Sequence, residues 1–341
     1  MANIFITNYC PRKCSFCFAK TRIGKSSRES SSNFMTRENL RKVMDFLELS
    51  NEKQLRLLGG EPTLHPEFLS IVDEAIGRGF RVHIFTNGMM PRKVADGLAE
   101  HDPEKISFLC NVSPQAKDTK EQRARVHYAL EKFGSHLQLG VTLTEPEMEY
   151  EYLLDYIDRY KLSRHIRIGI AQPIVGAENS HLGTGLYRET GKFIARMALE
   201  CEKRDVLLGF DCGLTLCMFS EEEIGILAKC SEGFKCVCGP IIDIGPDLDV
   251  WSCFPLAEVL NTKLEHFKTR NQIASFYNDL LHPYKQLGAM GDCVLCKYKK
   301  RNQCTGGCVA HTMNALNKRP AFEAPLPCKK DCPAVEKQTI V

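Results

Sequence analysis

The chain has 341 residues, longer than one hydrophobic core usually supports, so a large domain with a smaller companion is the natural expectation. An apolar content of 43%, a charged content of 26% and a net charge of +3 describe an ordinary globular protein and argue against nucleic acid or an anionic membrane surface as partner. No stretch reaches the roughly 20 apolar residues of a membrane span and no export signal precedes Cys10, so the expectation is a soluble, cytoplasmic chain whose 17 cysteines bind metal rather than form disulfides.

In chain order, the first two hundred residues alternate between two patterns. Short runs rich in branched and aromatic residues, NIFITN, KQLRLLG, RVHIFTN, KISFLCNVS, LQLGVTLT and HIRIGIAQP, read as six strands. Between them TRENLRKVMDFLEL, HPEFLSIVDEAIGRG, MPRKVADGLAEH, KEQRARVHYALEKFG and EMEYEYLLDYIDRY read as helices, with Thr36 as an N-cap and Gly79 as a C-cap, and a sixth helical stretch follows at 185–205. This alternation predicts an α/β fold with a parallel sheet and right-handed crossovers. Six repeats fall short of the eight in a closed barrel, so the expected architecture is a partial (β/α)6 barrel over residues 1–206. Beyond it the composition changes, with 12 of the 17 cysteines in residues 207–341. Regular elements are few there: a strand-like VLLGFDCGLTLC, a short helix at SEEEIGILAK, a hairpin at IIDIGPDLDVWSC and a helix near 270–281. Such a segment reads as a small, cysteine-rich, metal-stabilised C-terminal domain.

Function in a parallel sheet gathers at the carboxyl ends of the strands. CPRKCSFCFA places Cys10, Cys14 and Cys17 on the loop after the first strand, and LRLLGGEPTLHP brings Gly59, Gly60 and Glu61 to the same rim. Three thiolates on a short loop hold three corners of a cubane iron–sulfur cluster and leave one iron open to a ligand. A zinc site is the competing reading, but zinc loops usually space their ligands C-x2-C, unlike C-x3-C-x2-C. Cys110 and Cys201 read as ordinary buried residues.

The triple C-x3-C-x2-C, with Phe16 before its last cysteine, resembles the signature of radical S-adenosylmethionine (SAM) enzymes, and the likeness extends over the first 210 residues. The resemblance implies that Cys10, Cys14 and Cys17 hold a 4Fe-4S cluster whose open iron binds the amino and carboxylate groups of SAM. Reductive cleavage of SAM then yields a 5′-deoxyadenosyl radical that abstracts hydrogen. GGEP, residues Gly59, Gly60, Glu61 and Pro62, matches the family's second motif, which contacts the SAM amino group. On the same grounds Asn87, and Asn111 or Ser113, fall near the ribose and carboxylate of SAM. GIAQPIVGAE falls near the adenine; only Gly169, Gly176 and Glu178 approximate the family's glycine-rich pattern there.

Downstream, Cys293, Cys296, Cys304 and Cys308 are spaced C-x2-C-x7-C-x3-C, with Cys328 following, and Cys238 and Cys253 lie upstream. Taken locally this spacing could be a zinc ribbon, but behind such a barrel it closely resembles the SPASM extension, which holds two auxiliary 4Fe-4S clusters. It departs in having Leu248 where the family has glycine, and in the x7 spacing where the family has x5. The resemblance assigns Cys238, Cys253 and Cys308 to one auxiliary cluster, with a fourth ligand from Cys217, Cys230 or Cys236. It assigns Cys293, Cys296 and Cys304, with Cys328 or Cys332, to the other. The implied cofactors are thus three 4Fe-4S clusters and SAM, the implied substrate a peptide or protein, and the implied reductant a flavodoxin or ferredoxin.

No residue acquires an acid–base role on this reading. Phe254 stands where sulfatase maturases place an acidic base, which disfavours that subgroup. The serine-rich residues 20–33 read as a lid beside the cluster loop. Two other functions stay in view. One is a radical SAM enzyme acting on a small metabolite or cofactor precursor. The other is a non-enzymatic iron–sulfur electron carrier, which leaves the open iron and GGEP unexplained.

Overall fold

A computed structural model describes residues 2–23, 33–112, 118–233 and 236–317. Seven strands, β1 (Asn3–Phe5), β2 (Gln54–Leu58), β3 (Arg81–Thr86), β4 (Ile106–Asn111), β5 (Leu137–Leu143), β6 (His165–Ile170) and β7 (Leu207–Phe210), lie side by side in parallel. Their crossovers carry α1 (Arg37–Leu49), α2 (Phe68–Gly77), α3 (Arg92–Leu98), α4 (Lys120–Phe133), α5 (Glu151–Tyr160) and α6 (Tyr187–Glu202).

Side chains alternate across a strand, so each strand offers one set to the helices and one to the concave side. Leu55, Leu57, Val82, Ile84, Leu139, Ile166 and Ile168 are fully or almost fully buried in the main core. The intervening residues include Arg56, His83, Ser107, Gln138 and Arg167, all half-buried, which makes the concave face polar. The helices are defined from their ends inward. In α1, Leu40, Val43, Met44 and Leu47 form the buried stripe, and the Thr36 hydroxyl accepts the Asn39 N–H at 3.1 Å. Thr119 and Gln122 form a reciprocal capping box on α4. Gly79, at φ 87°, turns the chain out of α2.

The sheet does not stop at residue 206. β7 pairs with β6, and on the far side of β1 the short β8 (Asp243–Ile244) adds in parallel, followed by antiparallel β9 (Asp249–Trp251) and β10 (Asn261–Lys263). The strand order is therefore β10-β9-β8-β1-β2-β3-β4-β5-β6-β7. The parallel run, from β8 through β1 to β7, has eight strands, two more than the six read from the sequence. The four residues of β7 pair along β6, whereas the cysteines that follow them had grouped this stretch with the C-terminal region.

α7 (Glu221–Cys230), α8 (Arg270–Leu287), α9 (Lys297–Lys300) and α10 (Val309–Asn317) complete the described chain. Leu248, at the turn between β8 and β9, has φ 60°. Glycine takes that left-handed backbone freely and leucine pays about 1 kcal/mol. A glycine at this position would have a backbone reason, and this chain packs Leu248 against the core.

Candidate metal centres

The first site is assembled by backbone. Ile6 N–H donates to Leu58 O at 2.8 Å, Gly60 N–H to Thr7 O at 2.8 Å, and Glu61 N–H to Tyr9 O at 2.8 Å. These bonds lay the GGEP turn along residues 7–9, directly ahead of Cys10. The approach requires glycine, because a Cβ on Gly60 would sit 2.2 Å from Tyr9 O and one on Gly59 would sit 2.8 Å from Thr7 Cγ2. Beyond it, Cys17 N–H donates to Cys14 O at 3.2 Å. The half-buried thiols of Cys10 and Cys17 are pushed up to about 11, chiefly by burial and further by the neighbouring thiols. Left free they hold their protons; a metal would displace them.

Second contacts steady this loop. Asn87 Nδ2 lies 3.6 Å from Cys10 Sγ as a donor, and the Arg12 guanidinium lies 2.6 Å from Asp118 and donates through Nε to Met89 Sδ at 3.5 Å. Glu61 is 0% exposed, and its carboxylate accepts from Thr63 Oγ1 at 2.7 Å, Thr86 Oγ1 at 2.8 Å and the Asn87 N–H at 2.7 Å. Burial pushes its pKa upward against these donors. The Glu61 side chain is thus engaged inside the protein, tying the turn after β2 to the end of β3. Pro62 is buried at the start of the short 3-10 turn that follows.

The other residues expected near SAM lie at strand ends and on the loops that follow them. Phe16 is half-buried, and its carbonyl accepts from Asn179 Nδ2 at 3.4 Å. Asn179 also donates to Gln172 O at 2.9 Å and accepts the Ile174 N–H at 3.0 Å, while Ser180 N–H donates to Ser15 O at 3.0 Å. Asn179 therefore pins residues 172–180 onto the cluster loop. The sequence reading stopped one residue short of it, at Glu178, whose side chain is exposed and whose carbonyl accepts from Lys20 Nζ at 3.3 Å. Gly169 borders Asp211, with 3.2 Å from an added Cβ to Asp211 Oδ2, and Gly176 has φ 83°. Asn111 ends β4 over Gly140, where a Cβ would meet Asn111 Oδ1 at 2.5 Å. Ser113, most of the expected lid, Cys328 and Cys332 lie outside the described residues.

In the C-terminal region two groups of thiols gather. Cys304 Sγ accepts the Gly306 N–H at 3.3 Å and the backbone N–H groups of Leu216 and Gly307. Cys236 forms a backbone bridge with Cys304, and its thiol donates to Cys304 Sγ. That bond, with the backbone donors, lowers Cys304 to about 6 and raises Cys236. Cys217 neighbours both Cys304 and Cys293, and Cys293 Sγ lies 3.9 Å from Gly306 O. The second group centres on Cys308, which packs with Cys238 and Cys253 among Val175, Leu256 and Val309. Burial drives Cys253 and Cys308 well above the usual thiol range, and the facing thiols of Cys238 and Cys212 add to it. Cys212 is pushed up to about 12 by burial and then by Cys238.

The placement differs from the assignment suggested by resemblance. Cys212, which the sequence reading left out, stands with Cys238, Cys253 and Cys308. Cys217 and Cys236 stand with Cys293 and Cys304. Cys230 donates instead to Glu202 Oε2 at 3.1 Å. Cys296 caps α9 and, among the described residues, is brought into neither group. The described cysteines are free thiols. A set of four thiols is the ligand complement of a 4Fe-4S cluster, each thiolate taking its own iron, and a set of three leaves one iron open. Among the described residues no three His, Cys, Asp or Glu side chains close in on a single ion. None of the described helices is long and apolar enough to cross a membrane.

A parallel partial barrel with a three-thiol loop after its first strand and a glycine turn zipped against that loop defines a radical SAM domain. The Radical SAM superfamily model matches residues 4–112, so the chain carries a radical SAM domain there. It is 28% identical over 173 residues to the tungsten-containing aldehyde ferredoxin oxidoreductase cofactor-modifying protein of Pyrococcus furiosus, across 46% of this chain and 47% of that one. It is 33% identical over 89 residues to the S-adenosylmethionine-dependent nucleotide dehydratase of Selenomonas ruminantium, across 26% of this chain and 30% of that one. The chain thus spans less than half the length of these curated relatives. Its fold is similar to that of SuiB from Streptococcus suis bound to S-adenosylmethionine, with a TM-score of 0.66 at 15% identity over 93% of this chain and 74% of SuiB. It is also similar to anSMEcpe with bound AdoMet, with a TM-score of 0.60 at 17% identity over 90% of this chain and 88% of that one. With 93% of the chain covered, the likeness of fold extends past the radical SAM domain into the cysteine-rich region.

Proposed function

We propose that this radical SAM enzyme reductively cleaves S-adenosylmethionine and takes hydrogen from a peptide or protein substrate. The observation that carries the first part is the contact between the loop of Cys10, Cys14 and Cys17 and the glycine turn at 59–60, made by backbone hydrogen bonds on both sides of Gly60. A 4Fe-4S cluster held by these thiols would supply an open iron for SAM and the electron that splits it. The chain's own residues orient and shield that centre. Asn87 donates toward Cys10 Sγ, Arg12 places a positive charge beside the Cys10 and Cys14 thiols, and Asn179 holds the 172–180 segment over the loop.

The concave face supports the second part. Arg56, His83 and Ser107 from adjacent strands, with Arg167 paired to Asp211, present donors and acceptors of the kind a peptide backbone uses. SuiB, which shares the fold, has been seen bound to its precursor peptide SuiA. A cofactor precursor is the second reading, favoured by the similarity to the Pyrococcus furiosus cofactor-modifying protein. A flavodoxin or ferredoxin would supply the electron.

The test is anaerobic reconstitution with iron and sulfide, reduction in the presence of SAM, and assay of 5′-deoxyadenosine. Slow uncoupled cleavage is expected from the native chain, and none from the Cys10→Ala, Cys14→Ala, Cys17→Ala variant. No cleavage by the iron-replete native chain would overturn the proposal. Product formation on added peptides then separates the two substrate readings.

A further inference from the structure

We propose that eight thiols form two interleaved four-cysteine sites, Cys212, Cys238, Cys253 and Cys308 in one and Cys217, Cys236, Cys293 and Cys304 in the other, each holding an iron–sulfur cluster. The cluster type rests on the function proposed above; the ligand sets rest on the structure and depart from the SPASM assignment. There, Cys296 and a cysteine beyond Cys308 complete the second site, and Cys212 enters neither, while Cys217, Cys230 and Cys236 are alternatives for one place in the first.

Three short segments each carry two thiols, and each segment gives one to either site. The first is the loop after β7, with Cys212 and Cys217; the second is residues 236–238; the third is residues 304–308. Hydrogen bonds bundle them together. Thr305 N–H donates to Cys236 O at 2.9 Å and Cys238 N–H to Thr305 Oγ1 at 2.7 Å, which sets the second segment alongside the third. The loop after β7 reaches the same place through the Leu216 N–H on Cys304 and through Thr215, whose Cγ2 would lie 3.1 Å from a Cβ on Gly307. Thr215 also bonds the Cys217 sulfur at 3.2 Å.

Cys236 and Cys238 are two residues apart on backbone pinned at both ends, so their sulfurs are offset along the chain and serve adjacent sites rather than one. Cys304 and Cys308 are four residues apart. Gly306 and Gly307, at φ 89° and 87°, form the turn between them that lets the chain pass from one site to the other. Cys253 after β9 and Cys293 before α9 complete the two sets. Backbone N–H groups aimed at Cys304 suit a metal-bound sulfur, which they would stabilise as an anion. Loading each site exchanges four thiol protons for iron–sulfur bonds, with the protons released to solvent and no change of oxidation state in the protein.

The experiment uses the full chain carrying Cys10→Ala, Cys14→Ala and Cys17→Ala, reconstituted with iron and sulfide, so that SAM cleavage plays no part. This parent should bind about eight irons. Adding Cys212→Ala, Cys217→Ala or Cys236→Ala should remove up to about four irons or leave a three-iron cluster with its own electron paramagnetic resonance signal, while Cys296→Ala and Cys328→Ala should keep the full count. Cys212→Ser and Cys217→Ser keep an oxygen ligand and guard against loss through misfolding. They should retain iron and change the Mössbauer parameters of a single site. Iron loss from Cys296→Ala or Cys328→Ala, with Cys212→Ala and Cys217→Ala at the parent count, would overturn the assignment, as would a parent that binds about four irons. A parent that loads as stated, beside a native chain that never cleaves SAM, would refute the proposed function and leave the ligand sets standing.

Discussion

Replacing Gly60 by alanine tests whether the contact between the two N-terminal motifs positions the chemistry. The added Cβ would stand 2.2 Å from Tyr9 O, 2.5 Å from the Tyr9 carbonyl carbon and 2.9 Å from Cys10 Cβ. Comfortable contact begins near roughly 3.5 Å, so the Tyr9 backbone must retreat by about 1 Å. Every atom it meets is backbone or the stem of a ligand, so no flexible side-chain end can yield instead. The retreat breaks the Glu61 N–H to Tyr9 O bond, worth about 1 kcal/mol, and carries Cys10 with it because Cys10 is the next residue. A displacement of about 1 Å at a reacting centre costs on the order of 100-fold in rate. Formation of 5′-deoxyadenosine by the reconstituted, reduced variant should fall by about that factor, with a loss of ~1–3 kcal/mol in stability from overpacking. Gly77→Ala, where an added Cβ meets nothing within 4 Å, is the matched control and should leave the rate unchanged. Native rate and native melting temperature in Gly60→Ala would refute the reasoning.

Glu61→Gln places an amide among donors already aimed at a carboxylate, and should destabilise the chain by about 1–3 kcal/mol in a denaturant titration; an unchanged midpoint would show that the carboxylate is not the tie described. Asn87→Ala removes a donor from Cys10 Sγ, so the N-terminal cluster should become harder to reduce, read as a more negative midpoint in a redox titration followed by electron paramagnetic resonance. Asp243 supplies a pH test. Burial pushes its carboxyl up to about 7 although Asn3 Nδ2 donates to it at 2.8 Å, whereas an unfolded aspartate titrates near about 4. The folded chain therefore holds the extra proton between these values, and the associated stability is full below about 4 and is lost as pH rises through 7. Asp243→Asn should flatten the decline in melting temperature over that window, and an unaltered slope would place the titration elsewhere.

The barrel and its first site were legible because their determinants are local. Thiols at fixed spacing on one loop, glycines at the end of the adjacent strand, and strands that alternate with capped helices all leave marks within a few residues. A strand was legible at β7 but its place in the parallel sheet was not, because its residues run into a cysteine-rich loop and only pairing with β6 decides the matter. Asn179 was missed because its importance lies in three bonds to distant backbone, a role that asparagine in a loop does not advertise. The C-terminal thiols were countable but not assignable. Cys212 and Cys308 are far apart in sequence, and only the bundling of three segments brings them together.

The strand order has a consequence for how the barrel holds its shape. β7 and β10 are the two margins of the sheet, with a single bridge from Leu208 to Ser231 outside β7, so among the described residues no ladder joins the two margins. Yet Cys212 follows β7 at one margin, while Cys238 and Cys253 flank the β8–β9 hairpin at the other, and their sulfurs face one another. A closed barrel completes its circumference with backbone hydrogen bonds, whose register fixes the girth. This one would complete it with iron and sulfur, a clasp that leaves the girth free to adjust and that chelation can undo. Stripping the metal should then spread the two margins apart, with amide exchange rising first along β7 and the β8–β10 strands while β2 to β5 stay protected.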